Sequence, residues 1–341
     1  MKILSLFDGI SIAQQAFKEL CFEVEYYASE IDKQAISITQ KNHPQTIQLG
    51  SVEEVYGRET CLVDDSGIYN EPGTLIDIDL IIGGSPCQDL SIAKKNREGL
   101  KGQKSGLFYE YVRILNEVKP KYFILENVAS MPKEAKEQIS EILRVEPIMI
   151  NASLVSAQQR KRLFWIGRLV GGKYEQLKIE QPEDRKIYLK DILESGEAVK
   201  EKAYCLTAHQ KDFINDFIKR HQGNYVFKDK PIRIGSLGKG GQGDRIYSIH
   251  GKSVCLSANG GGRGAKTGLY LITGGAKGKT LSTDSLVVLK DYFRPLTPIE
   301  CERLQSLPDN YTEGLAKTNR KKLLGNGFNC AVIKYIIKSI L

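Results

Sequence analysis

The stretch MKILSLFDGISIAQQAFKEL, residues 1–20, decides the fold. It opens with a short apolar run, KILSLF, of the kind that forms a buried strand. The following segment, SIAQQAFKEL, carries Ile12, Ala16 and Leu20 at the spacing that places them on one side of a helix. The turn FDGIS lies between the two. This stretch therefore predicts a strand that leads through a tight turn into a helix, which is the repeating unit of an α/β sheet.

The same alternation of strand and helix continues to about residue 170. The strand-like segments are EVEYYAS (23–29), DIDLIIGG (77–84), KYFILENV (121–128) and RLFWIGRL (162–169). The helical segments are KQAISITQKN (33–42), GLFYEYVRILNEV (106–118) and KEAKEQISEILRV (133–145). Alternation of this kind predicts a parallel sheet with helices on both faces.

The character of the chain changes near residue 172. Of the 32 glycines, fifteen fall in residues 219–279, around short β-type phrases such as SVCLSANGGG. Glycine-rich segments of this kind predict irregular β structure with long loops. Helical patterning returns with FRPLTPIECERLQSLP and ends in CAVIKYIIKSIL. We therefore expect a large domain of residues 1–171 and 292–341, with a smaller β-rich domain of residues 172–291 inserted.

Composition and charge limit the functional class. A hydrophobic content of 41% and a charged content of 26% are typical of a soluble globular protein, and no apolar run has the length of a membrane span. Seven scattered cysteines without a C-x-x-C pair indicate neither a disulfide framework nor a zinc site, so a reducing cytosol is the expected compartment. Residues 219–279 hold twelve Lys or Arg and two acids. Twelve minus two gives this segment a net charge of +10, which exceeds the net charge of +8 for the whole chain. Such a segment predicts a polyanionic partner, although a solvated basic face explains the charge equally well.

The first turn and the second strand carry a candidate nucleotide site. Gly9 allows a tight turn after the first strand, and Glu30 ends the second strand 21 residues later, where a carboxylate can accept hydrogen bonds from ribose hydroxyls. A pyrophosphate turn needs three glycines, and Asp8 would repel phosphates. A ligand with a ribose but no phosphate, such as S-adenosylmethionine, fits better. The alternative is an ordinary turn beside a solvated glutamate.

A second candidate site surrounds Cys87 in IIGGSPCQDLS, residues 81–91. The cysteine follows a buried strand, and Pro86 fixes the backbone before it. Glu126 ends the next strand, and Arg160 and Arg162 alternate so that both can face one cavity. Taken singly, the cysteine could be inert and buried, the glutamate a strand-end acid, and the arginines a solvated edge.

Together these side chains have a chemical logic. A thiolate that adds to carbon 6 of cytosine makes carbon 5 nucleophilic, and an acid at ring nitrogen 3 stabilises the charge that develops. Arginines can hold the base carbonyl and a neighbouring phosphate. The set therefore suggests methylation of cytosine at carbon 5.

At this point the sequence resembles the DNA cytosine-5 methyltransferase family, most closely its animal de novo branch. The motifs that carry the resemblance occur in the family's order: LFDGIS, SEID, GGSPCQDLS, SGLFYEY, ENV, QQRKR, RPLTPIECERLQSLP and LGNGFN. The resemblance implies a Rossmann-like, S-adenosylmethionine-dependent methyltransferase sheet and an inserted target-recognition domain. It also implies a stand-alone bacterial or phage enzyme.

The resemblance assigns roles residue by residue. Cys87 would be the nucleophile, Glu126 would contact the target ring, and Asn127 would brace the cysteine loop. The paired-arginine element would consist of Gln158, Arg160 and Arg162. The expected cofactor-binding residues are Phe7, Asp8, Gly9, Ile10, Glu30, Ile31, Val52, Pro86, Leu107, Asn326 and Gly327.

The chain departs from the family's pattern at three positions. Ser11 stands where many members have glycine, and Ser51 stands where an aspartate is common, which removes a partner for the adenine amino group. Gly327 stands where serine is common, and we expect this change to loosen one edge of the cofactor pocket.

The inserted domain is expected to bind double-stranded DNA with the target base flipped out. The candidate DNA-binding residues are Arg233, Lys239, Arg245, Arg263 and Lys266, of which Arg245 and Arg263 are candidate base readers. Phosphate contact or plain flexibility of these loops is an equal alternative. If the enzyme serves a restriction system, a cognate restriction endonuclease is a further expected partner.

Two other functions stay open at this stage. An RNA cytosine-5 methyltransferase acting on transfer RNA would share the chemistry, but the Cys-Phe-Thr element of that branch does not occur in the sequence. The other alternative is a DNA-binding accessory protein with an inactive catalytic site. The presence of Cys87, Glu126 and the arginine pair argues against it.

Overall fold

The computed structural model describes residues 1–56, 77–85, 106–198, 200–206, 224–227, 233–236, 245–248, 269–271 and 293–341. The chain divides into two compact units. The first consists of residues 1–187, 205–208 and 301–341, and the second of residues 188–204 and 209–300. The boundaries from the sequence stay predictions, because most of the predicted insert lies outside the described residues.

The first unit contains an eight-stranded sheet. Its strands are β1 (Lys2–Leu6), β2 (Glu25–Ser29), β3 (Ile47–Gln48), β4 (Leu80–Gly83), β5 (Tyr122–Val128), β6 (Ile148–Asn151), β7 (Lys161–Val170) and β8 (Lys173–Gln176). The order across the sheet is β3-β2-β1-β4-β5-β7-β6, with β8 paired to β7. Strands β1 to β5 pair in parallel, as expected for strands joined by helices. The predicted α/β class is therefore confirmed.

The far side of the sheet differs from the prediction of a parallel sheet. Strand β7 is antiparallel to β5, β6 and β8, and neither β6 nor β8 is among the predicted strands. Residues 152–160, which join β6 to β7, contain a short 3₁₀ turn and no crossover helix. A connection this short joins antiparallel neighbours, because a parallel pair needs a crossover of a dozen or more residues.

Seven helices are described, most of them beside the sheet of the first unit. They are α1 (Ile12–Glu19), α2 (Lys33–Asn42), α3 (Leu107–Val118), α4 (Lys133–Leu143), α5 (Pro298–Leu304), α6 (Lys317–Asn326) and α7 (Cys330–Ile340). Helix α7 begins at the N-cap Asn329, whose side chain accepts a hydrogen bond from the Val332 amide at 3.2 Å. It contacts α1, and Lys334 on α7 forms an ion pair with Glu19 at 2.5 Å. The end of the chain thus lies beside its beginning.

A close contact between β5 and β7 shows how the sheet packs. Gly167 lies opposite Phe123, and a Cβ on this glycine would come within 2.3 Å of the phenylalanine ring. The ring also meets Tyr174 edge to face, with centroids 4.9 Å apart. The glycine therefore makes room for an aromatic side chain that is fully buried.

The second unit is rich in short strands, which confirms the β-rich character predicted for the middle of the chain. One sheet joins β9 (Glu197–Ala198), β10 (Tyr225–Phe227) and β14 (Phe293–Pro295), and another joins β11 (Arg233–Ser236), β12 (Arg245–Ser248) and β13 (Leu269–Leu271).

The segment RPLTPIE contains an ion pair between Arg294 and the buried Glu300. Glu300 is fully buried and accepts hydrogen bonds from Arg294 at 2.7 Å and from the Glu194 amide at 3.0 Å. Burial raises the pKa of Glu300, but hydrogen bonds from Arg294 and from backbone amides outweigh it and lower the pKa below its ordinary value. Within the described ranges, no helix has the length and apolar character needed to cross a membrane.

Candidate functional site

A cavity of about 250 Å³ lies in the first unit where β1, β2, β4 and β5 end. The carboxyl ends of parallel strands are where ligands bind in open α/β sheets. Ten of the predicted site residues line it: Phe7, Asp8, Gly9, Glu30, Glu126, Asn127, Arg160, Arg162, Asn326 and Gly327. The sheet and the end of α6 therefore bring together residues that are more than 300 positions apart in the sequence.

The turn between β1 and α1 has an unusual backbone. Phe7, Gly9 and Ser11 all have positive φ angles, of 57°, 65° and 53°. The carboxylate of Asp8 braces this turn, because it accepts hydrogen bonds from the Ser11 hydroxyl and from the Tyr26 hydroxyl, the latter at 2.8 Å. Burial raises the pKa of Asp8.

Glu30 is a fixed carboxylate at the wall of the cavity. One of its oxygens accepts a hydrogen bond from the Gly9 amide at 2.8 Å. The other accepts hydrogen bonds from the amides of Ile31 and Asp32, each at 2.8 Å. Three backbone donors thus hold an acceptor in place, which fits a ligand that presents hydroxyl donors.

The second acidic group of the cavity is paired with an arginine. Oε1 of Glu126 lies 2.8 Å from Nε of Arg162, and their side chains are 13% and 16% exposed. Asn127 is buried, and its Nδ2 donates a hydrogen bond to Oγ of Ser85 at 3.2 Å. The asparagine therefore ties the end of β5 to the segment that precedes Pro86 and Cys87, both of which lie outside the described residues.

Arg160 is buried more deeply than its neighbour Arg162. It is 3% exposed, and its terminal nitrogens donate to the carbonyl oxygens of Gly325, Gly327 and Leu206. Burial lowers the pKa of Arg160, and the positive charge of Arg162 lowers it further.

Gln158 precedes Arg160 by two residues in the same motif. Its side chain is fully buried, and neither atom of its amide has a hydrogen-bond partner in the described part of the chain. A buried amide left without partners is costly, and Gln158 is not among the residues that line the cavity.

Several predicted cofactor residues are not among those that line the cavity. Ile10 is buried, and its carbonyl accepts a hydrogen bond from the Tyr311 hydroxyl at 2.8 Å. Val52 belongs to the hydrophobic core, and Leu107 packs against it. Ile31 is 73% exposed. Their contacts with a cofactor stay predictions.

The structure explains two departures from the family's pattern. The Ser51 hydroxyl accepts a hydrogen bond from the Glu53 amide at 3.4 Å and caps a short 3₁₀ turn. A Cβ on Gly327 would lie only 2.6 Å from Cδ1 of Ile12, a buried side chain. Glycine at this position therefore makes room for Ile12, so the space that a serine would need is filled rather than open.

The candidate DNA-binding residues are only partly covered. Arg233 lies in β11 opposite Tyr247, and Arg245 lies in β12 opposite Ser236. Lys239, Arg263 and Lys266 lie outside the described residues. The DNA contacts of all five stay predictions.

Sequence reasoning missed two side chains at the site. Phe328 lines the cavity beside Gly84. The sulfur of Cys205 lies 3.3 Å from Nη1 of Arg160 and 3.7 Å from Nη2 of Arg162. The cysteine stands more than 40 residues from either arginine, in the phrase AYCLTAHQ, and no spacing rule connects them.

Comparison with known proteins gives one consistent family. The model for the family described as C-5 cytosine-specific DNA methylase matches residues 1–341. The Type II methyltransferase M.HhaI of Haemophilus parahaemolyticus is 28% identical over 350 residues, covering 100% of this chain and 94% of the relative. The Type II methyltransferase M.Sau3AI of Staphylococcus aureus is 26% identical over 337 residues, and 80% of each chain is covered.

A solved structure has the same overall fold. The Entamoeba histolytica methyltransferase EhMeth matches with a TM-score of 0.62 at 15% identity, covering 99% of this chain and 97% of that chain. At this identity the likeness concerns the fold alone.

Proposed function

The chain belongs to the C-5 cytosine-specific DNA methylase family, and from this premise we propose that it transfers a methyl group from S-adenosylmethionine to carbon 5 of a flipped-out cytosine in double-stranded DNA. The observation that carries the proposal is the cavity in which Glu30 and the Glu126–Arg162 pair face one space. A ribose-binding acid and a base-binding acid in one cavity are what a two-substrate transfer at this edge of the sheet requires.

The residues present fit the proposed cofactor. Glu30 is held by three amides and offers carboxylate oxygens to ribose hydroxyls, while Gly9 lets the backbone approach closely. Asn326 and Gly327 would form the opposite wall. When bound, S-adenosylmethionine supplies an electrophilic methyl group on a sulfonium.

The proposed work of the protein is to activate the cytosine. The Cys87 sulfur bonds to carbon 6 of the ring, which breaks its aromaticity and moves electron density to carbon 5. Glu126, carrying a proton on Oε2, donates a hydrogen bond to ring nitrogen 3, while Arg162 holds the side chain in position through the contact between its Nε and Oε1 of Glu126. Once carbon 5 carries the methyl group, loss of its proton re-forms the double bond between carbons 5 and 6 and expels the Cys87 sulfur as a thiolate. A base inside a duplex cannot be attacked at carbon 6, which is why flipping is part of the proposal.

We assign recognition of the DNA sequence to the insert of residues 172–291. Its surplus of basic residues supports contact with phosphates, and Arg233 and Arg245 lie on adjacent strands there. Relatives are named both Type II and Orphan methyltransferases, so a cognate endonuclease belongs to the proposal only if the gene is part of a restriction system.

The nucleophile is tested with S-adenosylmethionine and duplex DNA that contains 5-fluorocytosine. The fluorine cannot leave as a proton does, so the enzyme should stay covalently attached to the DNA after denaturation. We expect the adduct with the wild type and its loss with Cys87→Ser. Cys205→Ser is the matched control, because this second thiol lies beside both arginines.

The outcomes separate the alternatives. An adduct that persists in Cys87→Ser and disappears in Cys205→Ser would make Cys205 the nucleophile and refute the proposal. Methyl transfer to transfer RNA but not to duplex DNA would place the substrate in the RNA branch. DNA binding without methyl transfer to any duplex would indicate an inactive accessory protein.

A further inference from the structure

We propose that Arg160 is a positioning residue that holds the cofactor side of the cavity in place, and that Arg162 alone of the pair faces the substrate. This inference rests on the proposed function, and it assigns different tasks to two arginines that the sequence motif treats as one element. The cofactor side is defined as residues 325–328, which line the cavity.

The terminal nitrogens of Arg160 are fully engaged by the protein itself. Nη2 donates to Gly327 O at 2.7 Å and to Gly325 O at 3.3 Å. Nη1 has Gly325 O, Leu206 O and the Cys205 sulfur within 3.4 Å. Each terminal nitrogen of a guanidinium carries two N–H groups, so these contacts leave it no terminal donor for a phosphate or a base. With 3% exposure, Arg160 also has little surface that a substrate could reach.

Two of the carbonyls that accept hydrogen bonds from Arg160 belong to the segment that carries Phe328, and Phe328 lies close to the same glycine as the base-binding acid. Gly327 is followed by Phe328, whose ring would lie 3.2 Å from a Cβ on Gly84. On the same glycine, that Cβ would lie 3.1 Å from Oε2 of Glu126. Phe328 and Glu126 therefore both lie close to Gly84. We therefore expect a shift of residues 325–328 to disturb both the cofactor side and the position of Glu126.

Arg162 differs from Arg160 in exposure and in partner. Its side chain is 16% exposed, and it pairs with the carboxylate of Glu126 instead of with the cofactor side. A change at Arg162 should therefore act on the base, whereas a change at Arg160 should act on the cofactor.

Lysine is the informative replacement for Arg160. It keeps the positive charge, but a single ammonium on a flexible stem cannot reproduce the planar fork that spans two carbonyls. We compare Arg160→Lys with the matched control Arg162→Lys, and follow binding of S-adenosylhomocysteine by calorimetry, which needs no methyl transfer.

We expect Arg160→Lys to weaken binding of S-adenosylhomocysteine by about tenfold, in line with the loss of one hydrogen bond to a charged group. Arg162→Lys should change it less than about twofold, since its partner lies on the base side. In kinetics, Arg160→Lys should raise KM for S-adenosylmethionine more than it lowers kcat, and Arg162→Lys should do the reverse. Equal cofactor binding by Arg160→Lys and the wild type would overturn the proposal.

A measurement on the wild type covers the case in which the variant does not fold. Phenylglyoxal modifies accessible guanidinium groups, and the modified arginines are identified by mass spectrometry. We expect Arg162 to react in the free enzyme and to be protected by duplex DNA, and Arg160 to react only after denaturation. Reaction of Arg160 in the free enzyme together with its protection by DNA alone would show a substrate-facing arginine and refute the inference. If the wild type binds no S-adenosylhomocysteine, the proposed function fails, while the phenylglyoxal result still decides the role of Arg160.

Discussion

At the scale of single residues, Ser11 shows how a local conformational cost is offset. Its φ angle of 53° is left-handed, a conformation that glycine adopts without strain. The hydroxyl compensates, because it donates to the buried carboxylate of Asp8 and lies 2.9 Å from Oγ1 of Thr39. The Ser11 hydroxyl therefore stabilises a turn whose backbone conformation favours glycine.

A pair of substitutions at Ser11 separates the two effects. Ser11→Ala removes the hydrogen bonds but keeps the strain, whereas Ser11→Gly removes both. We expect Ser11→Ala to be about 1 kcal/mol less stable than Ser11→Gly, the cost of a left-handed conformation with a Cβ. Both should be less stable than the wild type, because a buried hydrogen bond to a carboxylate contributes roughly 1–3 kcal/mol. Urea unfolding measures the three free energies, and a Ser11→Gly variant more stable than the wild type would contradict this account.

At the scale of elements, the contact between α1 and the end of α6 joins the two ends of the chain. Ile12 on α1 fills the space in front of Gly327, the C-cap residue of α6. We expect Gly327→Ser to cost about 1–3 kcal/mol, because its Cβ would force the buried Ile12 side chain out of place.

A double-mutant cycle tests this contact. Ile12→Val removes the Cδ1 atom that the new Cβ would meet, and should by itself cost about 0.5–1.5 kcal/mol. The double variant should lose less unfolding free energy than the sum of the losses in the two single variants. The space left by Ile12→Val accommodates the side chain introduced by Gly327→Ser. Strict additivity of the unfolding free energies would show that Ile12 does not limit residue 327.

At the scale of the whole molecule, the sequence predicts the early part of the sheet better than the late part. Periodicity and turn residues located β1, β2, β4 and β5, because each is a buried strand joined to a helix. The antiparallel β6–β7 pair was missed, since a four-residue strand, IMIN, has no distinctive pattern.

In the candidate site, too, the features that depend on local sequence pattern were predicted and those that depend on distant segments were missed. Residues directly after a strand, such as Glu30 and Glu126, were located by topology. The contact between Arg160 and Cys205 depends on where a distant segment returns, which no local pattern encodes. The three carbonyls that hold Arg160 are backbone groups and leave no mark on residue identity.

The packing of the C-terminal segment on the first helices also predicts how stability depends on pH. His43, at the end of α2, is 1% exposed, and its Nε2 lies 3.2 Å from the hydroxyl of Tyr311. That hydroxyl donates to the carbonyl of Ile10 at 2.8 Å, which leaves its oxygen as the acceptor for the Nε2–H group of His43. Burial and, to a smaller extent, the positive charge of Lys18 together lower the pKa of His43 from 6.5 to about 4.

Because the pKa of His43 is lower in the folded than in the unfolded state, the unfolded chain binds a proton more readily below pH 6.5. The full stability is therefore present above pH 6.5 and is lost as the pH falls from 6.5 towards 4. We expect urea unfolding of the wild type to show a larger loss of free energy between pH 7 and pH 5 than unfolding of His43→Gln, which retains an amide donor for Tyr311. The difference between the two proteins isolates His43 from the carboxyl groups, including Asp8, whose raised pKa acts in the opposite direction. Equal pH dependence in the two proteins would mean that His43 accepts its proton without disturbing the contact between α2 and the C-terminal segment.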